Sequence, residues 1–214
     1  MTTLNTQNSY NQSFGTSTTC QLTGVATGDT LVLCLRERDG SAAPTVSDDI
    51  NGSWGTALVT VADGTRGRAS IFRFINAASG NPIITIDYSG INRVFQGIAA
   101  AFTPTGAITD GNTSTNTTTT TTAQNAGSVT ASAGFMVACG AHASNDGGST
   151  AGDSFTAFTM TAGEREYHRY KLTSGETVDA DYTTTNSVSA NHSLAAFTEA
   201  SGGGGKPYYA YAQM

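Results

Sequence analysis

Short stretches in which apolar and polar residues alternate follow one another along most of this chain. In residues 67–76, Ile71 points to one face and Phe72 to the other, and in residues 82–89 Ile84 and Ile86 share a face. A period of two is typical of strands that bury one face. Turns rich in Gly, Asn and Asp separate the stretches, and no long segment has a capped helical period. The pattern predicts an all-β protein with strands at 16–24, 29–38, 54–62, 67–76, 82–89, 93–103, 128–132, 134–142, 153–161, 165–172, 177–183 and 187–199.

The second part of the chain repeats the first. The run LVLC at 31–34 parallels MVAC at 136–139, and AAAFT at 99–103 parallels LAAFT at 194–198. We therefore predict an antiparallel β-sandwich, jelly-roll-like or immunoglobulin-like, built from two related five-strand meanders. Five short strands bury little by themselves, so one compact unit is favoured over two small sandwiches. This domain spans residues 16–200, with pseudo-repeat halves at 16–105 and 128–199.

Three segments lie outside the alternating pattern. Residues 1–15 are polar and are expected to form an N-terminal arm. The Thr-rich connector at 111–125 fits either a disordered linker or an exposed edge strand, because β-branched Thr tolerates such a strand. Residues 201–214 are a Gly-rich tether followed by an aromatic tail. This tail is expected either to anchor a neighbouring subunit or to fold back as a last strand.

Composition excludes several classes of protein. Charged residues make up 12% of the chain, against about 25% in an average globular protein. The net charge of −6 repels phosphates, so no nucleic acid partner is expected. No apolar run approaches the ~20 residues of a membrane span, and no signal peptide is recognisable at the N-terminus. We therefore expect no membrane association and synthesis in a cytoplasm.

The three cysteines are expected to be small buried hydrophobes. Cys20, Cys34 and Cys139 each lie in an alternating apolar stretch, and their odd number argues against a disulfide framework. Cys139 and His142 could form a thiol nucleophile or a pair of metal ligands. The favoured interpretation is that Cys139 faces the core and His142 ends a strand. Reducing conditions during folding fit these cysteines.

Signals for catalysis or cofactor binding are weak. The chain has no P-loop, nucleophile elbow, HExxH motif or paired-Cys zinc spacing, so no enzyme, cofactor or metal is expected. The turn with Asp48 and Asp49 offers oxygen ligands for Ca²⁺ but lacks an acidic residue at its far end. Its Asn-Gly pair is a hairpin signal, which favours a turn without metal. Trp54 is expected in the core, with an exposed sugar-stacking platform as the alternative.

The charge-dense segment 164–171 is the candidate partner surface. A strand here places Arg165 and Arg169 on one face, together with Tyr167 and Lys171. A solvated edge strand whose charges oppose aggregation is favoured, and a protein-contact patch is the alternative. With the tail residues, the candidate partner-binding set is Arg165, Tyr167, Arg169, Lys171, Lys206, Tyr208, Tyr209 and Tyr211.

A family resemblance rests on the GDTLVL run at 28–33, the turn at 49–54, Arg73-Phe74 before ASGNPIITI at 78–86, and the strand at 98–102. Over residues 16–199, this pattern resembles β-sandwich domains of bacteriophage virion proteins and of some bacterial extracellular proteins. The motifs are turns and strands, and no catalytic residue accompanies them. The missing signal peptide, the Thr run and the terminal arms favour a virion protein.

The resemblance implies a non-enzymatic structural protein of a phage particle, most of all a capsid decoration or cement protein. Such a protein is made in the host cytoplasm and located in the virion. Its partners would be the major capsid protein or other virion proteins, and it would itself form a homodimer or homotrimer, so that several weak polar contacts act together. The alternative is a carbohydrate- or receptor-binding module of a tail fibre, in which Trp54 and clustered Tyr residues stack on sugars.

Overall fold

The computed structural model describes residues 1–38, 43–63, 66–142, 149–152, 154–160 and 166–200. Its regular elements are strands with antiparallel pairing, which confirms the all-β prediction. No helix able to cross a membrane is found in this part of the chain. The strands are β1 Thr3–Gly15, β2 Ser17–Gln21, β3 Thr30–Glu37, β4 Thr45–Asp48, β5 Gly52–Ser53, β6 Val59–Ala62, β7 Arg68–Phe74, β8 Ile83–Asp87, β9 Arg93–Thr103, β10 Ile108–Ala131, β11 Gly134–His142, β12 Ser149–Ala151, β13 Thr156–Ala157, β14 Glu166–Thr173 and β15 Glu176–Glu199.

A five-stranded sheet and a six-stranded sheet form the centre of the molecule. The first has the order β1-β9-β3-β7-β6, and the second has the order β10-β15-β11-β14-β13, with β12 added to β15. Neighbouring strands are mostly not consecutive in the chain, so the predicted meanders are wrong. In each half the central strand, β3 or β11, pairs with the last strand of that half, β9 or β15, and this long-range pairing is not encoded in the alternation within single strands.

The predicted repeat is present in the strand pairing itself. Cys34 pairs with Ile98 in the first sheet, and Cys139 pairs with Ser193 in the second. The shift is 139 − 34 = 105 along the central strand and 193 − 98 = 95 along its neighbour, as in the two sequence matches. Strand orders and registers therefore coincide, and the halves are related by an internal two-fold repetition.

The apolar faces stack into four layers. These two central sheets face each other across one core cluster, in which Phe135 stacks on Phe102 with ring centroids 4.0 Å apart and on Phe197 at 4.5 Å. A smaller sheet, β2-β8-β4-β5, covers the outer face of the first sheet. The C-terminal part of β10 and the N-terminal part of β15 cover the outer face of the second sheet through Val129 and Val178. The halves thus form one unit as predicted, although each is also a small sandwich.

The interpretation of residues 1–15 as an arm is wrong, because residues 3–15 form the edge strand β1 and pair with β9. The Tyr10 side chain is buried, and its hydroxyl donates a 3.1 Å hydrogen bond to the carbonyl of Cys34. Gly97 leaves room for this crossing, since a Cβ there would collide with that carbonyl and with the Tyr10 hydroxyl. A single apolar anchor on a polar strand was too weak a periodic signal to predict it.

The Thr-rich connector is a strand at the edge of the second sheet. Residues 111–125 lie within β10, which pairs with β15. The edge-strand alternative is therefore confirmed, and the disordered-linker alternative is wrong. Thr side chains are largely exposed on both faces here, which a β-branched residue tolerates in a strand.

The chain passes from the first half to the second at a corner next to its beginning. The amino group of Met1 donates a 2.8 Å hydrogen bond to Oγ1 of Thr105. The Glu199 carboxylate accepts hydrogen bonds from the Thr105 hydroxyl at 2.6 Å and from the main-chain N–H of Gly106 at 2.7 Å. The Thr2 hydroxyl donates to the same carboxylate at 3.1 Å. One carboxylate thus joins the first residues, the crossing segment and the end of β15.

Candidate functional site

The predicted partner-binding residues fall into two groups. Arg165, Lys206, Tyr208, Tyr209, Tyr211 and the side chain of Tyr167 lie outside the described part of the molecule. Of the remaining two, Arg169 is 8% exposed, and burial lowers its pKa to about 10. Lys171 pairs with Glu176 at 2.8 Å. Because β14 lies between β11 and β13, the prediction of a solvated edge strand is wrong for this segment.

Trp54 lies in the core, so the alternative of an exposed sugar-stacking platform is wrong. Its ring is 3% exposed and packs against Phe74 with centroids 6.4 Å apart. Its indole N–H donates a 2.7 Å hydrogen bond to Asp48, which also accepts the main-chain N–H of Asn51 at 2.6 Å. Asp49 accepts the N–H of Ile83 at 2.8 Å. A cation would have to displace these donors, which favours the turn without metal.

Three buried donors meet between the two central sheets. Sγ of Cys34, Sγ of Cys139 and an imidazole nitrogen of His168 all lie within 4.8 Å of one another, and no residue of the three is more than 3% exposed. Cys34 and Cys139 occupy equivalent positions in the repeat, on the facing strands β3 and β11. His168 is opposite Cys139 on β14. We call these residues the thiol–imidazole cluster.

The imidazole beside Cys139 is therefore His168 and not His142. Positions 139 and 142 of a strand differ by an odd number, so their side chains point to opposite faces. Cys139 belongs to the core cluster between the sheets, as the favoured interpretation predicted. His142 is the last residue of β11, also as predicted, but it is buried in the outer layer.

The protonation of the two thiols is coupled. Burial raises the pKa of Cys34, and the neighbouring thiol of Cys139 raises it further. Burial also acts to raise the pKa of Cys139, but the hydrogen bond from Cys34 and the nearby His168 outweigh it and lower that pKa. Cys20 lies apart, in the core of the first sandwich, where burial raises its pKa to about 11. All three cysteines are free and buried, as predicted.

Each half carries a polar cluster at the same end of its central strand. Glu37 is fully buried and pairs with Nε of Arg93 at 3.2 Å and with Nε of Arg68 at 3.4 Å. Its equivalent in the second half is His142, since 142 − 37 = 105. An ion triad in one half thus corresponds to an imidazole in the other.

The second polar cluster is a chain of hydrogen bonds. His142 Nε2 contacts the hydroxyl of Tyr182, which lies 3.4 Å from Nδ1 of His192. His192 Nε2 is 3.1 Å from Oε1 of Gln124. Burial, and to a lesser extent His142, lower the pKa of His192 to about 3. In the second half, Gly140 of β11 is paired with His192 of β15. In the first half, the equivalent pair is Leu35 of β3 with Gly97 of β9. The glycine therefore lies on the central strand in one half and on its neighbour in the other.

The outer edges of β1 and β10 lack the usual protection against pairing with another chain. No described strand pairs with the second edge of either one. Asp, Glu, Lys, Arg and Pro are absent from β1 and from residues 111–131 of β10. Both strands contain register shifts, but residues 6–12 and 113–118 pair without interruption. Soluble proteins commonly guard such edges with Lys, Pro or bulges.

Asparagine side chains of these edge strands form hydrogen bonds to the outer layer of each half. Their side-chain amides donate to main-chain carbonyls of the adjacent layer at 2.9–3.3 Å. This arrangement satisfies the outer layer, and no described strand pairs with the outward edges of β1 and β10. The pairs are Asn5 with Gly24, Asn8 with Gln21, Asn112 with Thr130, and Asn116 with Asn125.

Two clefts of the described surface are large enough for a small molecule. One, of about 490 Å³, lies along residues 103–108, and the other, of about 430 Å³, lies between the first sheet and its small covering sheet. Arg68 is the one titratable side chain among the described residues that line them. Neither lining offers a carboxylate, an imidazole or a thiol for acid–base or nucleophilic chemistry.

No family model matches the chain, and no curated protein or solved structure does either.

Proposed function

We propose that this chain is a non-enzymatic structural protein of a bacteriophage particle, a capsid decoration or cement protein that stabilises the head by binding across neighbouring subunits. The observation that carries the proposal is the pair of long, proline-free edge strands, β1 and β10, which contain no charged residue in β1 and none in residues 111–131 of β10. A layered core with open polar edges suits a protein that holds others together. The lack of acid–base groups in the described linings of the two clefts supports the same role.

Edge strands bind other chains through the main chain. An open row of N–H and C=O groups accepts a further strand, and the side chains on alternate positions select which strand fits. Here those side chains are Thr, Asn, Gln and Ser, which hydrogen-bond directly or through water. Such an interface contains few ion pairs, so its affinity is expected to change little with salt.

The two edges suit different partners. A neutral strand does not repel a second copy of itself, so β1 is assigned to antiparallel pairing with β1 of another molecule about a two-fold axis. The edge of β10 then remains for a chain of the capsid. A dimer that offers two β10 edges binds two capsid subunits at once and gains affinity through effective concentration. The tail-fibre alternative relied on stacking by an exposed Trp54 and by clustered Tyr residues; Trp54 is buried, and we do not propose this alternative.

Sedimentation tests both contacts. Analytical ultracentrifugation of the purified protein is expected to show a dimer, and the protein is expected to cosediment with purified phage heads. Asn11→Lys places a charge at an exposed position in the uninterrupted part of β1 and should abolish the dimer. Thr115→Lys does the same in β10 and should abolish binding to heads.

The matched control is Thr185→Lys, because Thr185 is also exposed but lies on β15, in the interrupted stretch of pairing between Thr183 and Val188 and not on the outer edge of β10. This variant should behave as the wild type in both measurements. A wild-type protein that is monomeric and does not pellet with heads would refute the proposal. Equal losses in Thr185→Lys and in the edge variants would also contradict it, because the effect would then be one of net charge.

A further inference from the structure

The thiol–imidazole cluster is a set of possible metal ligands that no sequence motif predicts. Two sulfur atoms and one imidazole nitrogen converge within 4.8 Å from three strands of two sheets. Cys34 belongs to the first half of the repeat, whereas Cys139 and His168 belong to the second. Any ion held by all three donors would therefore connect the halves.

The position of His168 is not required by the fold. Ile71 pairs with Cys34 in the first half as His168 pairs with Cys139 in the second. The repeat thus accepts a fully buried aliphatic side chain at this point, and Ile71 lies in the same core cluster as both cysteines. His168 instead places an imidazole beside the Cys139 thiol, so the second half adds a metal donor where the first half has an aliphatic side chain.

We propose that the thiol–imidazole cluster binds one Zn²⁺ ion, which fastens the two halves of the protein together. Two Cys and one His are an established zinc donor set. Binding releases the thiol protons to solvent, and two thiolates with a neutral imidazole then balance the two charges of the ion. A neutral site suits an apolar core, whereas Cu⁺ on the same donors would leave a net negative charge there.

The distances between donors are compatible with this ion. Zinc–sulfur bonds of about 2.3 Å and zinc–nitrogen bonds of about 2.0 Å in a tetrahedron separate the donor atoms by about 3.5–3.8 Å. The three donors, all within 4.8 Å of one another, therefore need to approach by about 1.3 Å at most. The main-chain carbonyl of Leu35, which is 3.5 Å from Sγ of Cys139, is near enough to serve the fourth position.

The burial of the cluster determines how the ion enters. The donors are 1–3% exposed and lie between the two sheets. Zinc therefore has to bind before the halves close, so metal should be acquired during folding and exchange slowly afterwards. This inference is independent of the proposed role in a phage particle, because it concerns the joint between the halves and not the sheet edges.

Refolding tests the site. The full chain is unfolded in urea with a reductant and a chelator, transferred to chelator-free buffer, and refolded with one equivalent of Zn²⁺ or without metal. Metal content after gel filtration is expected to be one zinc per chain, and the urea midpoint is expected to be higher for the zinc-refolded protein. Refolding with Co²⁺ should produce a thiolate-to-cobalt charge-transfer band in the near ultraviolet.

Three variants separate ligation from packing. His168→Ile copies the residue of the equivalent position and should fold but lose the cobalt band and the zinc-dependent rise in midpoint. Cys34→Ala should lose both as well. Cys20→Ala is the matched control, since it removes a buried cysteine from the other core and should keep both. Circular dichroism establishes that each variant is folded.

Wild-type protein that refolds without retaining zinc overturns the proposal whatever the variants do. A cobalt band that persists in folded His168→Ile and Cys34→Ala also overturns it. A mass two hydrogens lower after refolding in air, without bound zinc, would identify the cysteines as a disulfide pair instead and would equally refute the zinc site.

Discussion

His192 gives the second half of the protein a defined sensitivity to acid. Its side chain is 1% exposed, and burial together with His142 lowers its pKa to about 3. The pKa of a histidine in an unfolded chain is about 6.5. Protons therefore bind preferentially to the unfolded chain below that value. The stabilisation by neutral His192 is complete above pH 6.5 and is lost progressively as the pH falls towards 3.

The size of the effect follows from the difference in pKa. Each pH unit within this window lowers the free energy of unfolding by up to about 1.4 kcal/mol. Between pH 7 and pH 5 the loss due to His192 is about 2 kcal/mol. Hydrogen bonds also lower the pKa values of Glu176 and Glu199, so these carboxylates add to acid destabilisation at lower pH. A variant at position 192 is needed to isolate the histidine.

His192→Gln removes the titration and keeps a side chain that can hydrogen-bond to Gln124. Urea unfolding at pH 7 and pH 5, followed by far-ultraviolet circular dichroism and by fluorescence of Trp54, the one tryptophan of the chain, gives the free energies. Wild type should lose about 2 kcal/mol more than His192→Gln between these pH values. Between pH 7 and pH 8 wild type and His192→Gln should change in stability by nearly the same amount, because His192 is largely neutral in both the folded and the unfolded chain there. Equal losses between pH 7 and pH 5 would refute the argument.

Three further substitutions test the packing and the turns. Phe102→Ala removes a stacked ring from the joint between the halves and should lower the free energy of unfolding by about 3–5 kcal/mol, measured by urea unfolding. A loss below 1 kcal/mol would contradict that joint. Asp48→Ala should cost about 1–3 kcal/mol and shift the emission of Trp54, whose indole N–H loses its acceptor. Unchanged emission would contradict the contact. Gly97→Ala should destabilise by at least about 1–3 kcal/mol through collision with a carbonyl, and a neutral effect on the thermal midpoint would contradict the packing of β1 on β9.

The strands that bury one face could be predicted, because alternation records burial directly. Residues 82–89 are such a case, because β8 alternates between buried and more exposed positions; β7 lies within residues 67–76 but is buried on both faces. β1 was missed because an edge strand faces solvent or another polar layer for most of its length. Its Asn5 and Asn8 serve as hydrogen-bond donors to the covering layer, and a polar residue in that role looks like part of a loop.

The candidate zinc site could not be predicted from the chain. The repeat made Cys34 and Cys139 equivalent, but no sequence signal shows that the halves pack with these two residues facing each other. That contact depends on which faces of two sheets meet. His168 follows Cys139 by 168 − 139 = 29 residues, with the short strands β12 and β13 between them, so the spacing matches no zinc motif. The strand order, which is not that of a meander, could not be predicted either, because it also depends on contacts between distant parts of the chain.

The corner at which Glu199 joins Thr2 to Thr105 makes the order of the two halves interchangeable in principle. Met1 and Ala200 both border the same small cavity as Thr105. A short linker from Ala200 back to Met1 would turn the described chain into a ring, and opening that ring between Thr105 and Gly106 would yield a circular permutant with the second sandwich first. The covalent crossing is then dispensable, and what determines the native arrangement is the fit of the two central sheets.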